Sequence, residues 1–88
     1  MEQIHEVGGV EFVVISEKLN GWHVFGLLKK VRLEEDDFAK VDALIEIACY
    51  ITGLSVDEFI AKCGGEDVPV ADVVSIATEL ITKAYPKN

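Results

Sequence analysis

His5, His23, Cys49, Cys63 and the acidic run Glu34-Glu35-Asp36-Asp37 are the residues to weigh first for chemistry. Nucleophilic or acid–base catalysis needs a nucleophile, a base and a group that stabilises developing charge, all converging in a pocket. His5 falls in a β-favouring stretch and His23 in the first turn of a helical one, so each is expected at a surface and not in a catalytic pair. Cys49 lies in a mostly apolar helical segment, where burial without a cationic neighbour raises the thiol pKa and leaves it unreactive. The two cysteines and two histidines lack the paired spacing of a zinc site. Consecutive acids do not reproduce a calcium loop, which places its ligands on alternate positions around a Gly and ends in a distant Glu. Four acids at the start of a helix, by contrast, are favoured by the exposed amides there. Neither Gly8-Gly9 nor Gly64-Gly65 is followed by the Gly-Lys-Ser or Gly-Lys-Thr of a phosphate loop. These residues predict a protein that is not an enzyme, with no catalytic, cofactor-binding or metal-binding site.

The elements that position these groups follow from periodicity. Two β-favouring runs flank Gly8-Gly9 within residues 1–15, and two glycines supply the positive φ angles of a tight turn, so the segment reads as a β-hairpin. An isolated hairpin is marginal in water, so Val10, Phe12 and Val14 are expected to face helices, with Glu11, Val13 and Ile15 on the other side. From Asn20, a good N-cap, the period lengthens, and a helix over 21–32 gathers Val24, Phe25, Leu27, Leu28 and Val31 into one stripe. Lys29, Lys30 and Arg32 suit its last turn. A helix over 36–52 follows, with Phe38, Val41, Leu44, Ile45, Ala48 and Ile51 spaced by three and four, ending near Gly53. Ser55-Val56-Asp57-Glu58 is a capping-box pattern and opens a helix over 56–63, with Val56, Phe59, Ile60 and Cys63 inward and Gly64-Gly65 as its stop. Pro69 begins the last helix, 69–85, which turns Val70, Val73, Val74, Ala77, Leu80, Ile81 and Ala84 to one face. Its β-branched content is a weaker signal than its helical period.

The 88 residues suffice for one domain, 1–88, and no linker, repeat or low-complexity stretch divides them. The fold class is α+β, mostly α: an N-terminal β-hairpin packed on a bundle of about four helices. Half of the residues are hydrophobic and 27% are charged, which argues for a folded chain and against a disordered one. Eight Lys and Arg against sixteen Asp and Glu give a net charge of −8, which repels a phosphate backbone, so no nucleic-acid partner is expected. No apolar run approaches the roughly 18 residues that span a bilayer, and the first residues lack the layout of a signal peptide. The expected location is therefore the cytoplasm, with no membrane partner and with the thiols reduced. What remains is surface. Trp22, Ile47, Tyr50 and Ile76 lie outside the core stripes and are the candidate protein-binding residues, Trp22 foremost because aromatic side chains dominate interface energies. The wide apolar arc around Ile47 and Tyr50 favours association into a homo-oligomer.

The succession of a short hairpin, Asn20-Gly21-Trp22-His23-Val24-Phe25-Gly26-Leu27-Leu28, an acidic stretch, a long helix ending in Gly53, a capped short helix, Val68-Pro69-Val70 and a final amphipathic helix resembles the small tail assembly chaperones of long-tailed bacteriophages and prophages. The similarity runs over most of the chain and rests on size, acidity and layout. It implies a non-enzymatic protein in the cytoplasm of the bacterial host, which coats the helical tape measure protein and helps recruit tail tube protein subunits. A soluble acidic binder with a helical groove suits the shielding of an extended apolar helix. The competing reading is a generic bacterial protein-interaction module, an adaptor or antitoxin-like regulator, using the same helical surface on another protein.

Overall fold

The computed structural model describes residues 1–86, so the last two residues of the expected domain lie outside the described residues. Strands β1 (Glu2–Val7) and β2 (Val10–Ile15) form an antiparallel pair in register from Glu2 opposite Ile15 to Val7 opposite Val10. Gly8 and Gly9, at φ 59° and 80°, supply the two positive φ values that such a two-residue turn requires. A 3-10 turn at Ser16–Lys18 leads to helices α1 (Trp22–Leu33), α2 (Asp37–Thr52), α3 (Val56–Cys63) and α4 (Val70–Ala84). This is the expected α+β, mostly helical architecture.

Helix α2 is the hub. α1, α3, α4, strand β2 and the 3-10 turn all pack against it, and Ala43, Ile47, Ala48, Cys49, Ile51 and Thr52 are buried along it. The alanines let neighbouring elements approach closely, while Ile47 and Ile51 fill the space between them. Thr52, the one buried polar residue among those described, donates its hydroxyl to the Ala48 carbonyl at 2.6 Å. Phe12 of β2 and Phe59 of α3, both fully buried, meet with ring centroids 5.5 Å apart. Val73, Ala77, Leu80 and Ala84 of α4 close the core from the other side.

In a two-stranded sheet each strand is an edge with free backbone groups. Lysines from the helices occupy one on each: Lys83 donates to the Glu6 carbonyl at 2.7 Å, and Lys62 to the Glu11 carbonyl at 2.9 Å. The open end is closed by Ser16, whose amide donates to the Met1 carbonyl at 2.9 Å, and by the Met1 ammonium against Glu17. At the other end of the chain, the Tyr85 hydroxyl donates to the Leu19 carbonyl.

Helix ends follow the expected chemistry at α2 and α3. Asp36 accepts from the amides of Phe38 and Ala39, and Gly53 ends α2 at φ 72°. Ser55 and Glu58 make the reciprocal capping box, and Gly64 stops α3. At α1 the expectation is corrected. Gly21, not Asn20, is the N-cap and contributes no side-chain bond, because buried Leu19, its amide bonded back to Ser16, holds the chain so that the helix starts one residue later. Besides Phe25 of α1, three residues expected in the core are exposed: Phe38 (86%), Val56 and Val70. Each sits at the first or second position of its helix, where the first turn extends past the layer it packs on.

Truncation of Phe59 to Ala should cost about 3–5 kcal/mol, a large share of the total for so small a domain, and Ser55→Ala about 1 kcal/mol, both read from urea unfolding. Hydrogen bonds from Ser55 hold the Glu58 carboxyl below its usual value, so its share of stability is present above the ordinary carboxylate pKa and is lost as pH falls through the lowered one. The larger part of that shift comes from the Ser55 backbone amide, which donates to the Glu58 carboxylate at 2.9 Å and survives in Ser55→Ala, so it is Glu58→Gln that should destabilise less in acid than at neutral pH.

Candidate protein-binding surface

The reactive groups do not converge. His5 lies on β1, with Nε2 2.9 Å from the Gln3 amide oxygen two residues away on the same face. His23 stacks against Tyr50, ring centroids 4.5 Å apart, and the Lys18 ammonium lies 4.8 Å from the centre of that same ring. Cys49 is buried and Cys63 half-buried, and both are free thiols. Burial pushes both thiols up, Cys49 further through the negative charges of Cys63 and Glu46. Among the described residues, no three His, Cys, Asp or Glu side chains are grouped to hold a metal, and no buried side-chain polar atom lacks a hydrogen-bond partner.

The four expected contact residues separate. Ile47 is fully buried, and its assignment to an exposed contact is corrected: it sits midway along the helix on which α1, α3, α4 and β2 all pack. Tyr50 is half-buried. Ile76 is half-buried beside the hairpin turn, where its Cγ1 stands 3.7 Å from the place a Cβ on Gly8 would occupy. Only Trp22 lies fully in the open, at 86% exposure.

Trp22 is not alone. Its ring stacks on Phe25, centroids 5.5 Å apart at 30°. At roughly 100° per residue, Trp22, Phe25, Lys29 and Leu33 fall within about 80° of arc, on the side of α1 away from Val24, Leu27 and Val31. Phe25 is half-exposed and Leu33 two-thirds exposed. Helix α1 thus has two apolar faces, one in the core and one in solvent. Phe25, Leu28, Lys29, Arg32 and Leu33 line a shallow hollow of about 460 Å³ on it. Gly26 borders this face, and a Cβ there would meet nothing within 4 Å. A glycine inside a helix costs about 0.5–1 kcal/mol relative to Ala, and no neighbour within the chain uses the space it leaves.

The sequence reading placed Phe25 in the core and passed over Leu33 and Gly26. The signal was the spacing 22, 25, 29, 33, a second helical stripe opposite the first.

A second apolar concavity lies where the first turns of α2 and α4 meet the loop between α3 and α4. Phe38, Val41, Ile45, Ile60, Val68, Val70 and Val73 line a groove of about 450 Å³, and Asp37, Asp42 and Glu66 border it. It shares no residue with the hollow on α1.

No helix among the described residues is long and apolar enough to cross a membrane. Comparison with protein-family models, curated proteins and solved structures returned no match.

The raised thiol pKa values carry a testable sign. The folded state holds these protons more tightly than the unfolded one, so stability is complete below the ordinary thiol value of about 8.5 and declines as pH rises through the raised values. Iodoacetamide should modify Cys49 at least about tenfold more slowly in the native protein than in urea, measured by intact mass.

Proposed function

We propose that this chain is a non-enzymatic binding protein whose outer α1 face receives an apolar helix of a partner. The single observation that carries this reading is the second apolar face of α1. Trp22, Phe25 and Leu33 stand in solvent together along one side of a single helix. A contiguous exposed apolar face is the usual mark of a docking site, and paired aromatic rings at its centre are the side chains that most often dominate binding. Gly26 lets the backbone of a second helix come close to α1, much as small residues do wherever helices cross tightly.

Within that reading, the resemblance in layout supports a tail assembly chaperone of a long-tailed phage or prophage, with the tape measure protein as client and the tail tube protein as the subunit it helps to recruit. A long helical client exposes apolar stripes until it is enclosed, and a small protein presenting one apolar ridge covers such a stripe segment by segment. The net charge of −8 opposes non-specific aggregation of a protein that carries that ridge.

Co-expression with a helical fragment of a tape measure protein encoded beside this chain tests it. The fragment should be retained in a pull-down, and Trp22→Ala should lower its affinity by about thirtyfold or more, the size of an interface hot spot. Gly26→Ala should raise the stability of the isolated chain by about 0.5–1 kcal/mol while weakening capture. Equal retention by wild type and Trp22→Ala removes α1 as the site, and no retention of the fragment removes the client.

A further inference from the structure

We propose that the acid-bordered groove between α2 and α4 is a docking site for the outer α1 face of a second copy of this chain, so that free molecules associate head to tail. The groove and the α1 face match in apolar character and in charge. The groove is apolar within, and the carboxylates of Asp37, Asp42 and Glu66 border it. The ridge is apolar, led by Trp22 and Phe25, and Lys29 and Arg32 flank it. Helix α1 contains no acidic residue and holds three of the chain's eight cations, Lys29, Lys30 and Arg32. Among the described residues, neither these cations nor the three groove carboxylates form an ion pair within the chain. An acidic protein has therefore kept its main basic surface beside its most exposed aromatic pair, and its own groove offers the opposite charge around an apolar floor.

The geometry makes the contact heterologous. Ridge and groove are different surfaces with no residue in common, so a molecule that donates its ridge keeps its groove free for a third. Such contacts continue into rings or open chains unless one partner is blocked. Rims of opposite charge set orientation and speed encounter more than they add affinity, and a contact this small belongs with weak, concentration-dependent association. It also covers the same α1 face that the client reading uses. Client capture and self-association exclude one another, and that exclusion, unlike the contact itself, rests on the client reading.

The test uses the full chain and two surface variants by light scattering after size exclusion, from about 10 µM to about 1 mM, the span in which weak contacts populate. Wild type should grow in mass with concentration. Trp22→Ala, which lacks the ridge, and Asp42→Lys, which reverses the groove border, should each remain monomeric. Their equimolar mixture should form a species of two chains that grows no further, because only one intact ridge and one intact groove remain between them. Circular dichroism confirms that both variants are folded. A wild type that is monomeric throughout, or variants that associate as wild type does, or a mixture that stays monomeric, overturns the contact. Asp42→Lys should still capture the tape measure fragment, so loss of self-association and loss of the client are read separately.

Discussion

One helix has to touch nearly everything. With 88 residues there is no second layer behind α2, and every other element reaches the core by packing on it directly or on something that does. That constraint explains the composition of α2: alanines at 43 and 48 where neighbours press in, isoleucines at 47 and 51 where they leave room, and a threonine at 52 that satisfies its hydroxyl on its own helix. It also explains why the hairpin is tolerated. A two-stranded sheet that would be marginal alone is held by Phe12 against Phe59 and by lysines from α3 and α4 on its carbonyls.

The same constraint leaves α1 with more apolar surface than the core can take. A helix lying on one side of a hub can bury one stripe, and α1 buries Val24 and Leu27. Trp22, Phe25 and Leu33 occupy the reverse side, where no element of the chain comes near enough to cover them. Reactive groups tell the opposite story. Burial, complete for Cys49 and partial for Cys63, raises both thiol pKa values, and the histidines face a glutamine and a tyrosine instead of acids. What the surface carries is apolar faces of moderate size, with opposite charges around two of them.

Features set by local backbone chemistry were legible in the sequence. Gly8-Gly9, the Ser55–Glu58 box, Gly53 and Gly64-Gly65 each impose a geometry within four residues, and all stand where the pattern placed them. The inward faces of β2 and α4 are legible too: Phe12 and Val14, and Val73, Ala77, Leu80 and Ala84, are buried as their periods place them. What failed was the step from stripe to burial. Periodicity says that residues share a face and not which face is covered, so Phe25 was read as core when α1 had apolar residues on both sides. Phe38, Val56 and Val70 obey their stripes but sit in first turns beyond the packed layer. Ile47 lies off its stripe and is buried nonetheless, because several neighbours pack on α2 and widen its buried arc to take in Ala43 and Ile47, leaving Asp42 and Glu46 to solvent. These are properties of the assembled bundle, which a single helix cannot report.

The bonds from Lys83 to Glu6 and from Tyr85 to Leu19 join positions 77 and 66 residues apart. Strand β1 packs on α4, so it cannot be seated until α4, some sixty residues further on, has been made. On the ribosome the hairpin and α1 emerge early with Phe12, Trp22 and Phe25 bare, and long-range closure of this kind is slow compared with the winding of a helix. Vectorial synthesis therefore defers the docking of β1, and with it the covering of Val7, until α4 is present, while Trp22 and Phe25 stay in solvent before and after.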